Sequence, residues 1–419
     1  SSAASDVYKR QDISGYTNPH ESKHDFFQIG HTSTSISLAT GLAKARDVKN
    51  EKGNVIAVIG DGSLTGGEAY EGLNNAAVLN SNIIIVVNDN EMSIAKNQGG
   101  LVGHLDTLRK TNGKSECNMF KALGFDYYYV EDGNDVESLI NTFKAVKDTN
   151  KPVVVHIYTN KGKGYKFAEE NKEAGHWVMP SDFDYSKMPK ESYSSILADF
   201  ISKKCENNEP FVGITAATPT VCGFTPDLRA KLGKHYVDVG IAEQHAVALA
   251  SGIAKNGGRP IFGVYSSFIQ RTYDQLSQDL ALNNNPAVIV VFDGGLSSMD
   301  ATHVGQFDIS MISNIPNLVY LAPANKEEYI AMLNWATTQT EHPVIIRAAS
   351  MHEMKSTGNE DTTDYSDLNK FKVEKKGNKV AIIGLGYFYY LGEEVAKMLK
   401  DKLGIDATVI NPHYISGID

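Results

Sequence analysis

Two short polar segments each follow an apolar run, and together they place an acid and an amide where both could hold one ligand. Asp61 lies in GDG after VIAVI, and Asn90 ends NDN after IIIVV. Carboxylate and amide oxygens are ligands that Mg²⁺ accepts, and phosphates and water usually complete its shell. The glycines beside Asp61, with the helix start that follows, would let backbone N–H groups approach a phosphate. The pair predicts a metal-bound diphosphate, although GDG or NDN alone is a common turn sequence.

A second acid, Glu243 in GIAEQHA, stands at the predicted start of a helix. A carboxylate there could simply satisfy the free N–H groups and the dipole of the helix. Alternatively, an acid held in an apolar pocket would keep its proton and could donate a hydrogen bond to a bound ligand. The segment by itself leaves both interpretations open.

Short aliphatic strands that alternate with helices must position these groups. The first series contains VIAVIG, IIIVVN and PVVVHIY, and the second contains VGIT, PIFGVY, AVIVVF, LVYLAP and PVIIRA. Such alternation predicts an α/β protein with two tandem, doubly wound parallel sheets. Because ligands bind beyond the carboxyl ends of parallel strands, Asp61 and Asn90 should face one point. A last βαβ unit, KVAIIGLG to DATVINP, cannot bury both faces of its sheet, so we expect it to be an incomplete third unit.

Changes in composition suggest the domain boundaries. Polar, Lys- and Ser-containing or turn-rich segments separate the two series and the last unit. We expect a disordered lead-in at 1–11, an α/β domain at 12–185, a linker at 186–209, a second α/β domain at 210–352, a linker at 353–377 and the incomplete domain at 378–419.

Bulk composition excludes several classes of function. The 419 residues carry 40 basic and 50 acidic side chains, a net charge of −10, which argues against nucleic acid as a partner. The longest aliphatic runs have the length of strands, so we expect no membrane span. Three cysteines without CxxC spacing argue against a disulfide framework or a zinc site and favour a cytoplasmic protein.

The paired GDG and NDN motif resembles that of thiamine diphosphate enzymes, and NDNEMSIA is similar to the 1-deoxy-D-xylulose-5-phosphate synthase family in particular. Three further blocks are similar to that family: HDFFQIGHTSTSIS, DVGIAEQHAVALASGIA and YSSFIQRTYDQLSQDLAL. The resemblance runs roughly from Asp12 to Asp419. It implies tandem thiamine diphosphate-binding domains of the transketolase-like type, thiamine diphosphate and Mg²⁺ as cofactors, and a homodimer. The implied reaction is the condensation of pyruvate with glyceraldehyde 3-phosphate, with release of CO₂.

The resemblance also implies roles for individual residues. The metal would be held by Asp61, Asn90 and the backbone carbonyl of Met92. The diphosphate would lie near His31, Ser33, Gly60, Gly62, Ser63 and Lys161. Glu243 would bond a nitrogen of the aminopyrimidine ring, and Phe268 would stack on that ring.

Four further residues match the catalytic groups of the family. His176 and His303 would serve as proton donors, whereas Tyr265 and Arg271 would reach the phosphate of the acceptor. A lone histidine is more often structural. Arg271 could equally pair with an acid on its own predicted helix, such as Asp274 or Asp279.

The sequence departs from the family pattern near the substrate. We find no counterpart of the family's N-terminal GHQxY block and its histidine, and the connection 97–120 is shorter than usual. Met299 stands where an aspartate is expected, with Asp300 one position along. Arg347 is kept, but Ser350 replaces a second arginine, and a hydroxyl cannot replace a bidentate guanidinium.

These departures leave three hypotheses. The first is the synthase reaction. The second is another ketol-transferring or keto-acid-decarboxylating enzyme of the transketolase group, which the altered acceptor residues favour. The third is a truncated chain without catalytic activity, which the missing N-terminal block favours and the presence of the metal ligands and Glu243 opposes.

Overall fold

The computed structural model describes residues 16–176, 191–295, 302–349 and 354–419. Residue contacts divide the chain into two compact units. The first comprises Ser1–Tyr185 with Val239–Ala242, and the second comprises Ser186–Asp238 with Glu243–Asp419. The expected lead-in at 1–11, as well as Met299, Asp300 and Ser350, lies outside the described residues.

The first unit is built on a parallel sheet of four strands in the order β1-β2-β4-β3. The strands are β1 (Ile56–Gly60), β2 (Ile84–Asp89), β3 (Asp126–Val130) and β4 (Val153–Tyr158). The helices are α1 (Ser35–Val48), α2 (Gly67–Ala76), α3 (Gly100–Lys110), α4 (Met119–Leu123), α5 (Val136–Val146) and α6 (Lys166–Glu170).

Helices cover both faces of this sheet because its inner strand β2 is apolar on both sides. Ile85 and Val87 of β2 pack in one core with α1, α2 and α3. Ile84 and Val86 point the other way, as alternate residues of a strand do, and pack in a second core near α5. This arrangement confirms the predicted doubly wound α/β class.

The register of β1 and β2 brings the two predicted metal-binding segments to one edge. The strands are parallel neighbours, and Gly60 lies opposite Asn88. The Asp61 N–H continues the pairing by donating to the Asn88 carbonyl at 3.1 Å. The predicted juxtaposition of the two strand ends is therefore confirmed.

The second unit contains a parallel sheet of six strands in the order β6-β5-β7-β8-β10-β9. The strands are β5 (Phe211–Thr215), β6 (Tyr236–Asp238), β7 (Arg259–Tyr265), β8 (Val288–Gly294), β9 (Val319–Leu321) and β10 (Val344–Ala349). The helices are α7 (Tyr193–Glu206), α8 (Pro226–Leu232), α9 (Glu243–Lys255), α10 (Asp308–Ile312) and α11 (Lys326–Thr338), and a π-helical turn spans Gln275–Ala281.

A small third sheet belongs to the second unit. Strand β13 (Ala407–Asn411) lies between β11 (Lys372–Lys375), which is antiparallel to it, and β12 (Val380–Ile383), which is parallel. Helix α12 (Phe388–Leu403) connects β12 and β13. The sheet therefore has one strand more than the βαβ unit that the sequence predicted.

Both segments that we expected to be linkers contain packed structure. Helix α7 lies within 186–209, and its Leu197 and Ile201 are fully buried in the core of the second unit. Strand β11 and the buried Tyr365 lie within 353–377. Both segments are polar on average, and this average hides the few apolar residues that pack.

Across the described parts of the chain, every helix falls short of the length or the apolar character needed to cross a bilayer.

Candidate metal and diphosphate site and the second acid

Asp61 forms the centre of the site at the end of β1. Its side chain is 3% exposed. Oδ2 accepts a hydrogen bond from Asn97 Nδ2 at 2.8 Å, but the buried Oδ1 accepts none from the residues that the structure describes. Burial, together with the charge of nearby Asp89, raises the pKa of Asp61 to about 7. A buried carboxylate oxygen that lacks a partner is what a bound cation would satisfy.

Asn90 and Met92 form a tight turn beyond β2. The Asn90 side-chain oxygen accepts the Met92 N–H at 3.1 Å, which fixes the amide. Glu91, between them, has the left-handed backbone conformation, with φ of 69°. The turn follows the strand end that adjoins Asp61, and its amide and carbonyl oxygens are of the hard donor type that Mg²⁺ accepts.

Small residues line the segment after Asp61, where the diphosphate is expected. Ser33 is buried, and its hydroxyl donates to the Ser63 carbonyl at 2.8 Å. A Cβ on Gly62 would come within 2.7 Å of Ser93 Cβ, whereas a Cβ on Gly60 would meet nothing closer than 3.7 Å. Gly62 therefore permits a close approach, and the half-buried His31 lies two residues before Ser33.

Lys161 and His176 are the two predicted site residues of the first unit with basic side chains. The Lys161 ammonium donates to the Ser93 carbonyl, and burial lowers its pKa to about 8 despite the attraction of Asp61. Burial, followed by the charge of Lys161, lowers the pKa of His176 to about 3. At neutral pH, Lys161 is therefore mostly charged and His176 is neutral.

In the second unit, Glu243 is the first residue of α9 and is 3% exposed. Burial raises the pKa of Glu243, and the positive charge of Arg271 opposes that rise. Arg271 Nη1 lies 3.6 Å from Glu243 Oε2. Arg271 therefore contacts Glu243, a partner that the sequence interpretation did not consider alongside Asp274 and Asp279.

Tyr265, Phe268 and His303 form an aromatic cluster in the second unit. The rings of Tyr265 and Phe268 lie 5.8 Å apart, and the His303 ring meets Phe268 edge-on at 5.4 Å. Thr302 Oγ1 and His303 Nδ1 are 2.9 Å apart, within hydrogen-bond distance. The structure thus brings together these three residues of the predicted site, which lie in two separate segments of the sequence.

Arg347, the arginine that the sequence retains, is held within the second unit. Its Nε donates to Asp308 Oδ2 at 2.6 Å, and its Nη2 donates to the Gly305 carbonyl at 3.0 Å. Tyr320 also donates to Asp308 Oδ2, at 2.6 Å. Arg347 therefore fixes the segment that follows His303.

The sequence interpretation missed two groups around Asp61. Nothing in the sequence distinguishes Asn97, because it is one of several polar residues in a loop. Asp89 was visible in NDN, but its partners Arg109 and His156 lie 20 and 67 residues away in the chain. Separations of this kind have no periodicity that a single sequence could reveal.

Similarity to known proteins identifies the family to which these residues belong. The family model described as 1-deoxy-D-xylulose-5-phosphate synthase matches residues 2–118 and 109–159, and the transketolase pyrimidine binding domain matches 190–351. 1-Deoxy-D-xylulose-5-phosphate synthase 1 of Geobacter metallireducens is 37% identical over 97% of this chain and 71% of its own length. The chain belongs to the 1-deoxy-D-xylulose-5-phosphate synthase family.

A second relative agrees with this assignment. The family's member in Natranaerobius thermophilus is 37% identical over 97% of this chain and 70% of its own length. Among solved structures, transketolase from Leishmania mexicana covers 97% of this chain and 74% of its own, with 15% identity and a TM-score of 0.48.

The match to the synthase family model corrects one expectation from the sequence. It begins at residue 2, so the similarity starts before Asp12, where we expected it to start. The two matched ranges of that model overlap at 109–118. The shorter connection expected at 97–120 stays a prediction.

Proposed function

We propose that this chain condenses pyruvate with glyceraldehyde 3-phosphate to give 1-deoxy-D-xylulose 5-phosphate and CO₂, with thiamine diphosphate and Mg²⁺ as cofactors. It is a transferase of the transketolase type. One observation carries the proposal: in a member of the synthase family, Asp61 Oδ1 is buried without a hydrogen bond from the described residues, at the strand end that adjoins Asn90.

Mg²⁺ would be held by Asp61, Asn90 and the carbonyl of Met92. The backbone of Gly62 and the hydroxyl groups of Ser33 and Ser63 would line the diphosphate, along with Gly60 and His31. Lys161, mostly protonated at neutral pH, supplies positive charge against the phosphates. His176 remains a candidate donor of a hydrogen bond to the substrate in its neutral form.

When bound, thiamine diphosphate supplies the electron sink that makes decarboxylation of a keto acid possible. Glu243 holds the proton that this chemistry needs. Because burial favours its neutral form, the carboxyl group can donate a hydrogen bond to the ring nitrogen and take the proton back. The positive charge of Arg271 opposes the rise in the pKa of Glu243, so the carboxyl group can still ionise.

Phe268 would stack on the aminopyrimidine ring, with Tyr265 and His303 packed around it. Arg271 and Tyr265 would bind the acceptor's phosphate. Arg347 is engaged with Asp308, so its role is to hold the segment that carries His303. We assign it no contact with the acceptor.

The engagement of Arg347 also favours a second candidate, a ketol transferase or decarboxylase with a different acceptor. The test is an assay of the Mg²⁺- and thiamine diphosphate-loaded protein with pyruvate plus glyceraldehyde 3-phosphate, and separately with a ketose phosphate donor. We expect CO₂ release with pyruvate and formation of the five-carbon product. Turnover of the ketose alone would contradict the synthase reaction, and absence of both would favour the chain without catalytic activity.

Assembly and location stay predictions. A homodimer is expected from the family and is tested by the mass in solution. A cytoplasmic location rests on the three cysteines, Cys117, Cys205 and Cys222, all of which are free thiols.

A further inference from the structure

A single arginine lies behind the turn that carries Asn90. Arg109 belongs to α3, and its side chain is only 9% exposed. Nη1 donates to Asp89 Oδ2 at 2.5 Å, and Nη2 donates to Glu91 Oε1 at 3.2 Å. One guanidinium therefore binds both residues that flank Asn90.

The Asp89 carboxylate is completely buried, and both of its oxygens have hydrogen-bond partners. Asp89 is 0% exposed, and His156 Nε2 lies 2.9 Å from the same Oδ2 that Arg109 contacts. His156 Nδ1 is in turn 2.7 Å from the Tyr127 hydroxyl. Oδ1 of Asp89 accepts the Glu91 N–H at 3.2 Å. A buried carboxylate with several donors has one orientation, so the end of β2 is fixed.

The second residue that Arg109 contacts, Glu91, has a strained backbone conformation. Its φ of 69° lies in the left-handed region, which costs a glutamate energy that the surroundings must supply. Besides Arg109, the Tyr158 hydroxyl donates to Glu91 Oε2 at 3.3 Å. The Arg109 guanidinium lies 5.4 Å from the centre of the Tyr158 ring. Arginine's planar fork reaches both carboxylates at once, which a lysine ammonium on a single stem cannot do in the same geometry.

We propose that Arg109 is a positioning residue that preforms the Asn90–Met92 turn for the Mg²⁺ complex of thiamine diphosphate. The inference rests on the proposed function, because it assumes that this turn binds the metal. Arg109 acts through Asp89 and Glu91 and touches neither metal nor substrate. Partners that orient metal ligands in this way typically change metal affinity by about 10- to 100-fold when they are replaced.

Arg109 could affect Mg²⁺ binding through its positive charge alone, without positioning the turn. Charge alone and positioning predict different affinities for the Arg109 variants. If only charge mattered, Arg109→Met would remove a cation near the site and strengthen Mg²⁺ binding, while Arg109→Lys would bind normally. If positioning matters, both variants bind more weakly. Lys110→Met is the matched control, because Lys110 is the next residue of α3 and, among the described residues, forms an ion pair with Asp106 at the surface, at 2.6 Å.

The experiment measures calorimetric binding of thiamine diphosphate with Mg²⁺ to the full chain and its three variants. We expect Arg109→Lys to weaken binding about 10- to 100-fold and Lys110→Met to leave it unchanged. The loss should appear in the cofactor concentration that gives half-maximal activity, and excess cofactor should recover part of the activity. A loss caused by misfolding would not be recovered in this way.

Hydrogen exchange of the cofactor-free protein provides a second readout. Amides 91–97 should exchange faster in Arg109→Lys, while those of β2 stay protected. If Arg109→Lys binds the cofactor as tightly as the wild type, or if exchange in the turn is unchanged, the positioning role is wrong. If the wild type itself binds no cofactor, the proposed function fails and the role assigned to Arg109 fails with it.

Discussion

At the scale of single residues, each of the two units contains one buried acid among the candidate residues, and the two acids have different neighbours. Burial raises the pKa of both Asp61 and Glu243. Asp89 adds to the effect at Asp61, because a second negative charge disfavours ionisation. Arg271 opposes the effect at Glu243. Asp61 is therefore an acid that a cation would ionise, whereas Glu243 is an acid suited to keep and exchange a proton.

Replacing Glu243 should separate stability from activity. The pKa of Glu243 in the folded protein is raised above its ordinary value of 4.5. Its contribution to the free energy of unfolding is therefore complete below pH 4.5 and is lost as the pH rises through the folded pKa. Glu243→Gln should therefore be more stable than the wild type at pH 8, by roughly 1.4 kcal/mol per unit of raised pKa. The gain should vanish near pH 4, and turnover should be abolished.

Denaturant unfolding at several pH values, without cofactor, measures this difference. Asp227→Asn is the control, because Asp227 also lies in the first turn of a helix, α8, but is exposed. It should give no such gain. Retained turnover in Glu243→Gln would remove the proton-holding role.

The proposed Mg²⁺ site should respond to pH through Asp61. Its pKa is raised from 3.8 to about 7, and metal binding requires the ionised carboxylate. Mg²⁺ affinity should therefore fall below pH 7 by roughly tenfold per pH unit. Calorimetric titration of Mg²⁺ in the presence of thiamine diphosphate, at pH 6 and pH 8, measures the change. An affinity that is equal at both values would contradict the assignment of Asp61 as a ligand.

At the scale of elements, the ends of β1, β2 and β4 determine the site. The three strands are adjacent and parallel, so the segments that follow them meet at one edge. The chain after β1 must pass close to the loop that follows β2, and Gly62 makes this possible. The loop is in turn tied to the end of β1 by Asn97.

Two glycine substitutions test this close approach. In Gly62→Ala the new methyl group would lie 2.7 Å from Ser93 Cβ and 2.9 Å from Asn97 Oδ1, so the loop must move. We expect a loss of roughly 1 to 3 kcal/mol in unfolding free energy and weaker cofactor binding. Gly60→Ala is the matched control, because its nearest neighbour would be Ser63 Oγ at 3.7 Å. Equal cofactor affinity in the two variants would show that the approach at Gly62 is unimportant.

At the scale of the whole molecule, the candidate residues fall into two compact units. Asp61, Asn90 and Lys161 belong to the first unit, while Glu243 and Phe268 belong to the second. A ligand that contacts only the folded form of either unit stabilises the fold by mass action.

Thiamine diphosphate with Mg²⁺ should therefore raise the melting temperature of the protein. At a concentration of 100 times Kd the stabilisation is about 2.7 kcal/mol. Thiamine without the diphosphate, at the same concentration and with Mg²⁺, is the control and should give a much smaller rise. No rise with the diphosphate form would favour the hypothesis of a chain without catalytic activity.

The sequence by itself determined the α/β class and predicted that the strand ends carrying Asp61 and Asn90 lie side by side. Apolar strands that alternate with helices can only pack as parallel sheets covered by helices, and parallel strands share the edge at which their carboxyl ends lie. Asp61 and Asn90 could be paired for that reason alone. The motif around NDNEMSIA also led to the correct family.

Only the tertiary structure decided which side chains support those residues. Arg109 reaches Asp89 across 20 residues, and His156 reaches it across 67, because α3 and β4 pack beside the end of β2. Arg271 lies beside Glu243 for the same kind of reason. Helix α7 also became evident only through packing, since its five buried apolar residues outweigh the polar average of the segment. Contacts between distant segments follow from the packing of whole elements, so the local spacing of residues in the sequence does not predict them.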